Sequence, residues 1–114
     1  MKIKFAFAIL SIFVSTSMNA AGHRGQVEKL EYGPYYGSIV HVALSGDTST
    51  PCATNQNGFD YSFDVSSDTG MMMFSSLLAA QRSGVEVSIS GTGECTVNVT
   101  LKNTEDIRWI QSSK

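Results

Sequence analysis

The hydrophobic pattern changes character near residue 20. Two lysines come first, followed by a ten-residue stretch (5–14) that is apolar except for one serine, and then by polar residues and two alanines. A basic start, a short apolar segment and small residues at the cut are typical of a secretory signal. We therefore expect residues 1–20 to be a signal peptide, cleaved after Ala20 or Ala21, and the mature protein to be secreted or periplasmic. The apolar stretch is shorter than the helix needed to cross a hydrocarbon core about 30 Å thick, so no membrane span is expected after cleavage.

The rest of the chain alternates mostly with period two, which is typical of half-buried strands. Strands are predicted over 25–30, 38–44, 59–65, 85–90 and 107–110, with a further strand or hairpin arm over 95–101. In the third strand the alternation predicts an outer face made of Asp60, Ser62 and Asp64. In the second strand it predicts that His41 points outward as a surface histidine.

The spacing becomes helical between the third and fourth strands. Apolar residues recur at helical spacing from Gly70 or Met71 onward, and Ser83 and Gly84 end the pattern, which predicts a helix of about twelve residues. The run 71–74, three methionines and a phenylalanine, fits either a flexible binding surface or the core, and we expect the core.

The order of these elements indicates an all-β fold with one helix. Residues 21–114 are long enough for a single domain. Three strands, a helix and two strands match the five-stranded Greek-key barrel known as the OB-fold, with the helix between strands 3 and 4. A β-sandwich does not normally place a helix there.

Two cysteines, Cys52 and Cys95, allow one intramolecular pairing. In an exported protein an even number of cysteines indicates a disulfide. The bond would close a loop of about 44 residues, which the chain-entropy model values at roughly 4 kcal/mol.

Charge excludes two classes of partner. The full chain has eight basic and ten acidic residues, and loss of the two signal-peptide lysines leaves six against ten, a net charge of −4. Nucleic acids and anionic membranes are recognised by clustered Lys and Arg, which this sequence lacks. We expect neither as a partner.

Enzyme signatures are missing from the sequence. It contains no GxSxG, HExxH or P-loop motif, and its two histidines, His23 and His41, lie eighteen residues apart. We therefore expect no catalysis, no metal and no cofactor. Asp60 with Asp64 leaves open a small hydrolase as a third hypothesis. Asn98 begins an Asn-x-Thr glycosylation pattern, to which we assign no role in an alternating strand.

Aromatic residues give the stronger functional signal. Tyr32, Tyr35 and Tyr36 crowd a turn punctuated by Gly33 and Gly37. Tyrosine offers a flat apolar face and a hydroxyl, which suit sugar rings and protein partners. The alternative, that one or two of the rings plug the end of the barrel, is equally compatible with the sequence.

Residues 73–89, which run from the helix into the next strand, and 25–30 followed by Gly33 resemble the subtilase cytotoxin B-subunit family. The resemblance implies an OB-fold, and the family's toxin members form pentamers that bind sialylated glycans. Those members carry a sugar-contacting serine just before the glycine that matches Gly25. Arg24 stands at that position here, and arginine recognises carboxylates in its own way.

The leading hypothesis from the sequence is therefore an exported, non-catalytic module that binds a glycan or a protein, similar to a toxin B-subunit. For a glycan we expect the tyrosines to stack on the sugar ring and Arg24 to pair with an acidic group. A homo-oligomer is compatible with this, a pentamer if the chain is toxin-like. The rival hypothesis is a structural or inhibitory envelope protein whose aromatic turn docks onto another protein.

Overall fold

The structure is a computed structural model that describes residues 22–46, 50–52, 58–98 and 103–112. The expected signal peptide and the part of the expected sixth strand at 99–101 lie outside these residues. The described elements are five strands, one α-helix and one turn of 3-10 helix. In chain order they are β1 (Gly22–Glu31), the 3-10 turn (Pro34–Tyr36), β2 (Ile39–Leu44), β3 (Tyr61–Asp64), α1 (Asp68–Ser83), β4 (Glu86–Gly91) and β5 (Glu105–Ser112).

The five strands form a closed ring. β1 pairs antiparallel with both β2 and β4, β2 pairs with β3, and β4 pairs with β5. A parallel pair between β3 and β5 completes the ring in the order β1-β2-β3-β5-β4. The prediction of a mostly-β protein with one helix between the third and fourth strands is confirmed.

The hydrophobic core lies inside this ring. The strands contribute Val27, Val40, Val42, Leu44, Tyr61, Phe63, Val87 and Ile89. The helix adds Leu77 and Ala80 to the same core. Gly70 lets the first turn of α1 pass close to β3, because a Cβ there would overlap the carbonyl oxygen of Asp64.

Helix α1 has sixteen residues and is longer than predicted at its start. Ser67 is the N-cap, and its side chain accepts a hydrogen bond of 3.0 Å from the N–H of Gly70. Gly84 ends the helix in the left-handed conformation at φ 68°. The methionine run divides: Met73 and Phe74 pack against the core as expected, whereas Met71 and Met72 are exposed.

The outer face of β2 and β3 is not a solvent-facing surface, so the prediction of exposure was wrong for three residues. His41, Asp60 and Ser62 are all buried, and only Asp64 is exposed. Alternation did turn His41 away from the core, but residues 94–98 and 103–104, which we call the covering segment, lie against this side of β2 and β3. Thr104 donates a hydrogen bond of 2.8 Å to the hydroxyl of Ser62, and the Asn98 amide lies 3.0 Å from Nε2 of His41.

The conformation of the covering segment also shows that the prediction of a strand over 95–101 was wrong for its described part, 95–98. Over 95–98 no strand forms. The backbone N–H groups of Thr96 and Val97 instead donate to the Asp106 carboxylate, at 3.0 and 2.8 Å. A side chain thus takes the place of a strand partner for this segment.

The expected disulfide between Cys52 and Cys95 is present, with Cα atoms 5.8 Å apart. Cys52 belongs to the connection between β2 and β3, and Cys95 to the connection between β4 and β5. The bond therefore ties the covering segment to the connection between β2 and β3.

Candidate binding surface

The three tyrosines lie in the connection between β1 and β2, which we call the aromatic turn (residues 32–37). A single turn of 3-10 helix shapes it, with Tyr36 N–H donating to the Gly33 carbonyl at 2.9 Å. Gly37 follows at φ 63°, a conformation that side-chain-bearing residues rarely adopt. The local sequence therefore holds Pro34 and its neighbours in one tight arrangement.

Ring contacts fix the orientation of the tyrosines. Tyr35 is 91% exposed, yet its ring stands edge-on to Tyr36 with centroids 5.1 Å apart. The Tyr36 hydroxyl donates a 2.9 Å hydrogen bond to Oε1 of Glu31. That bond to a carboxylate raises the pKa of Tyr36 above its ordinary value. Tyr32 is held separately, edge-on to Phe74 of α1 at 5.0 Å.

A second layer of side chains supports Tyr36 from below. Its ring lies 4.8 Å from His41, which in turn lies 5.7 Å from Phe59. The Lys29 ammonium sits over the Phe59 ring, 4.8 Å from its centroid. The site thus draws on β1, β2 and the connections on either side of β2. Alternation does not predict that these residues meet, because their contacts depend on the pairing of β1 with β2 and on the return of the chain at Phe59.

His41 and Asn98 form the buried polar part of this support. Burial lowers the pKa of His41, and the nearby Glu31 opposes that shift only in part. The neutral imidazole matches the contact between Nε2 and the Asn98 amide at 3.0 Å. Because the side chain of Asn98 is buried, the glycosylation pattern at 98–100 has no accessible acceptor in the folded protein.

Arg24 is not brought together with the tyrosines. It lies near the start of β1, and about 25 Å of extended strand separates it from Tyr32. Its Nε atom pairs with the Glu86 carboxylate at 2.9 Å on the exposed side of β4. The prediction that Arg24 pairs with an acidic ligand therefore concerns a surface distinct from the aromatic turn.

The two carboxylates considered for hydrolysis have ordinary structural partners. Asp60 is buried and accepts a 2.8 Å hydrogen bond from the backbone N–H of Leu44. Asp64 is exposed, and hydrogen bonds from Ser66 and Ser38 lower its pKa. Within the described ranges, no group of three or more His, Cys, Asp or Glu side chains is placed to hold a metal ion.

In the described part of the chain, the one α-helix is not long and apolar enough to cross a membrane. Comparison of the chain with protein-family models, with curated proteins and with solved structures finds no match.

Proposed function

We propose that this chain is an exported, non-catalytic binding module, that its ring of strands is an OB-fold, and that the aromatic turn contacts the ligand. The strand order β1-β2-β3-β5-β4 and a helix between β3 and β4 support this assignment of the fold. In such barrels the connections β1–β2 and β4–β5 bind oligonucleotides and oligosaccharides. The aromatic turn is the first of these connections, and Asn98 belongs to the second.

The observation that carries the proposal is Tyr35. An almost fully exposed aromatic ring, oriented by Tyr36 and through it by Glu31, forms a flat apolar surface before any ligand arrives. Stacking on such a surface loses little side-chain entropy, which favours binding. The acidic net charge disfavours a nucleic acid, so a glycan is the ligand class we favour.

The carboxylates support a role without catalysis. A glycosidase needs one carboxyl group whose pKa is raised so that it can donate a proton. The pKa of Asp64 is lowered, which is the opposite shift. Asp60 is engaged with the backbone of Leu44, as a structural residue would be.

The resemblance to toxin B-subunits leads us to propose also that the mature chain forms a homo-oligomer. A glycan-binding module of that kind would form a ring of about five copies, and light scattering of the oxidised mature protein measures this directly. The rival function is docking onto an envelope protein, which the same exposed tyrosines favour because Tyr is enriched at protein interfaces. It would show as a stable complex with one envelope protein that depends on Tyr35.

A glycan array probed with the wild-type protein and with Tyr35→Ala tests the binding proposal. We expect Tyr35→Ala to weaken binding at least tenfold, corresponding to about 1.4 kcal/mol. The variant should remain folded, because the ring is exposed and its hydroxyl has no hydrogen-bond partner among the described residues.

Arg24→Ala is the matched comparison, since Arg24 lies at the other end of β1. Loss of binding through Arg24→Ala alone would place the ligand at the start of β1 and contradict the role of the turn. No glycan signal above background would exclude the sugar ligand.

A further inference from the structure

Strand β5 contains a bulge at Arg108. Trp109 pairs with Ser90 and Ile107 pairs with Gly91, so Arg108 has no partner in β4. As a result Ile107 and Ile110 both pack against the core, while the two residues between them are exposed. Bulges commonly re-aim a side chain at a functional edge. This bulge turns the single tryptophan of the chain outward, where it is 47% exposed.

The outward residues form one wall of a groove between β5 and α1. The groove has a volume of about 310 Å³ and is lined by Thr69, Met72, Met73, Ser76, Arg108, Trp109 and Ile110. Met72 on the helix side is 65% exposed. Large apolar side chains exposed on both walls are typical of an interaction site.

The strand beside this groove has an open backbone edge. β3 pairs with β5 only at Glu105 and Asp106. From Ile107 to Ser112 the only strand that pairs with β5, among the described residues, is β4. One side of this stretch therefore presents alternate N–H and C=O groups that have no strand partner.

Arg108 supplies the only charge on the lining of the groove. Among the described residues, the side chain of Arg108 has no ion-pair or hydrogen-bond partner. An unpaired guanidinium at an apolar site favours a partner that carries a carboxylate.

We propose that this groove is a second binding surface, which takes an extended acidic segment of a partner protein as an added strand along β5. The open edge provides main-chain hydrogen bonds, the usual source of affinity when a peptide joins a sheet. An apolar side chain of the segment lies between Met72 and Trp109, and a carboxylate pairs with Arg108. The open edge favours a peptide over a compact small molecule, which cannot use a row of backbone groups.

This surface is separate from the aromatic turn. Tyr32 contacts α1 through Phe74, whereas Met72 lines the groove. Residues two positions apart on a helix point to nearly opposite sides of it. The proposal is therefore independent of glycan binding. Tyr35→Ala should leave it unchanged.

Trp109 makes the test direct, because it is the only tryptophan and lines the groove. The probes are blocked octapeptides that alternate Val, Ile or Leu with Glu, added up to millimolar concentration. We expect a saturable change in Trp109 emission. The same peptides methylated at alternate backbone nitrogens should bind at least tenfold more weakly, since methylation removes the donors needed to join the sheet.

Variants of the groove are compared by polarisation of a labelled peptide, which does not need Trp109. Met72→Ala and Trp109→Ala should weaken binding about tenfold. Met71→Ala is the matched control, because Met71 is exposed on the same helix and does not line the groove. Arg108→Glu should reverse the preference for Glu over Lys in the peptide.

Three results would overturn the proposal. The first is the absence of saturable binding by any of the peptides. The second is equal binding of the methylated peptides, or no change of charge preference in Arg108→Glu. The third is an emission change that follows the protein's own concentration together with a rise in mass, which would show that a second copy occupies the edge.

Discussion

His41 is a histidine enclosed by groups from three parts of the chain. Tyr36 and Phe59 pack against its ring, the Asn98 amide approaches Nε2, and Glu31 is the carboxylate that faces it. His41 as a residue is only 4% exposed. Burial disfavours the imidazolium, and the attraction of Glu31 does not offset that cost, so the folded state keeps this histidine neutral.

Stability should therefore fall as the pH drops below about 6.5, the pKa of histidine in an unfolded chain. Below that value the unfolded state binds a proton that the folded state does not, which costs at most about 1.4 kcal/mol per pH unit. Urea denaturation between pH 7.5 and 5.5 measures the slope. His41→Gln, which cannot titrate, should flatten it. An equal slope in wild type and variant would show that His41 is not the cause.

The sequence predicted part of this residue-level picture. The closeness of Tyr32, Tyr35 and Tyr36 in the chain follows from the sequence; the structure adds that Tyr35 and Tyr36 lie in a 3-10 turn and that Tyr32 contacts Phe74 instead. The burial of His41 and Ser62 does not follow, because alternation reports which side of a strand a residue takes and not what covers that side. The covering residues come from 94–98 and 103–104, far along the chain.

Helix α1 begins where its backbone donors find an acceptor. Asp68, Thr69 and Gly70 are weak helix formers, and helical spacing alone therefore placed the start at Gly70 or Met71. The hydroxyl of Ser67 offsets this weakness by accepting from the N–H of Gly70. The first turn then packs beside β3, as the close approach of Gly70 to Asp64 shows.

Ser67→Ala should lower the free energy of unfolding by about 1 kcal/mol, because it leaves the Gly70 N–H without its acceptor. In a domain of this size we expect the melting temperature to fall by roughly 4–8 °C. Ser75→Ala is the control, since Ser75 is exposed in the middle of the same helix. Its effect should stay within about 0.5 kcal/mol. Equal melting temperatures for the two variants would contradict the capping role.

Other features of the elements were beyond the sequence. The stretch from Cys95 has the alternation of a strand, but the Asp106 carboxylate captures its N–H groups over Thr96 and Val97. The bulge at Arg108 likewise has no local signature such as a glycine. Both depend on the register of β5 against distant residues, which a periodic pattern does not encode.

At the scale of the whole molecule, the described strands form a closed ring, and the covering segment lies over one side of it. Five strands and one helix in this order were predictable, because each element has its own period and the elements follow each other without a repeat or a linker. The position of the covering segment was predictable only in part, from the disulfide expected between Cys52 and Cys95, which requires two distant parts of the chain to meet. The contacts that the covering segment makes with His41 and Ser62 could not be predicted from the sequence.

Reduction of the disulfide should lower the free energy of unfolding by about 4 kcal/mol, the value expected for a loop of this length. At roughly 4–8 °C for each kcal/mol, the melting temperature should fall by more than 10 °C. Calorimetry with and without reductant measures this. A variant with both cysteines changed to serine should not respond to reductant. A shift of one or two degrees in the wild type would mean that the thiols are not paired.

The parallel pair of β3 and β5 also bears on how quickly the protein folds. Tyr61 and Glu105, which pair across it, lie 44 positions apart, and the chain must lose the entropy of that long loop before the contact forms. The disulfide joins residues 43 positions apart in nearly the same two regions. Once the disulfide has formed, β3 and β5 are held near each other, and only a short loop remains to be closed before they pair. Oxidation should therefore speed the closing of the ring as well as stabilise the closed ring.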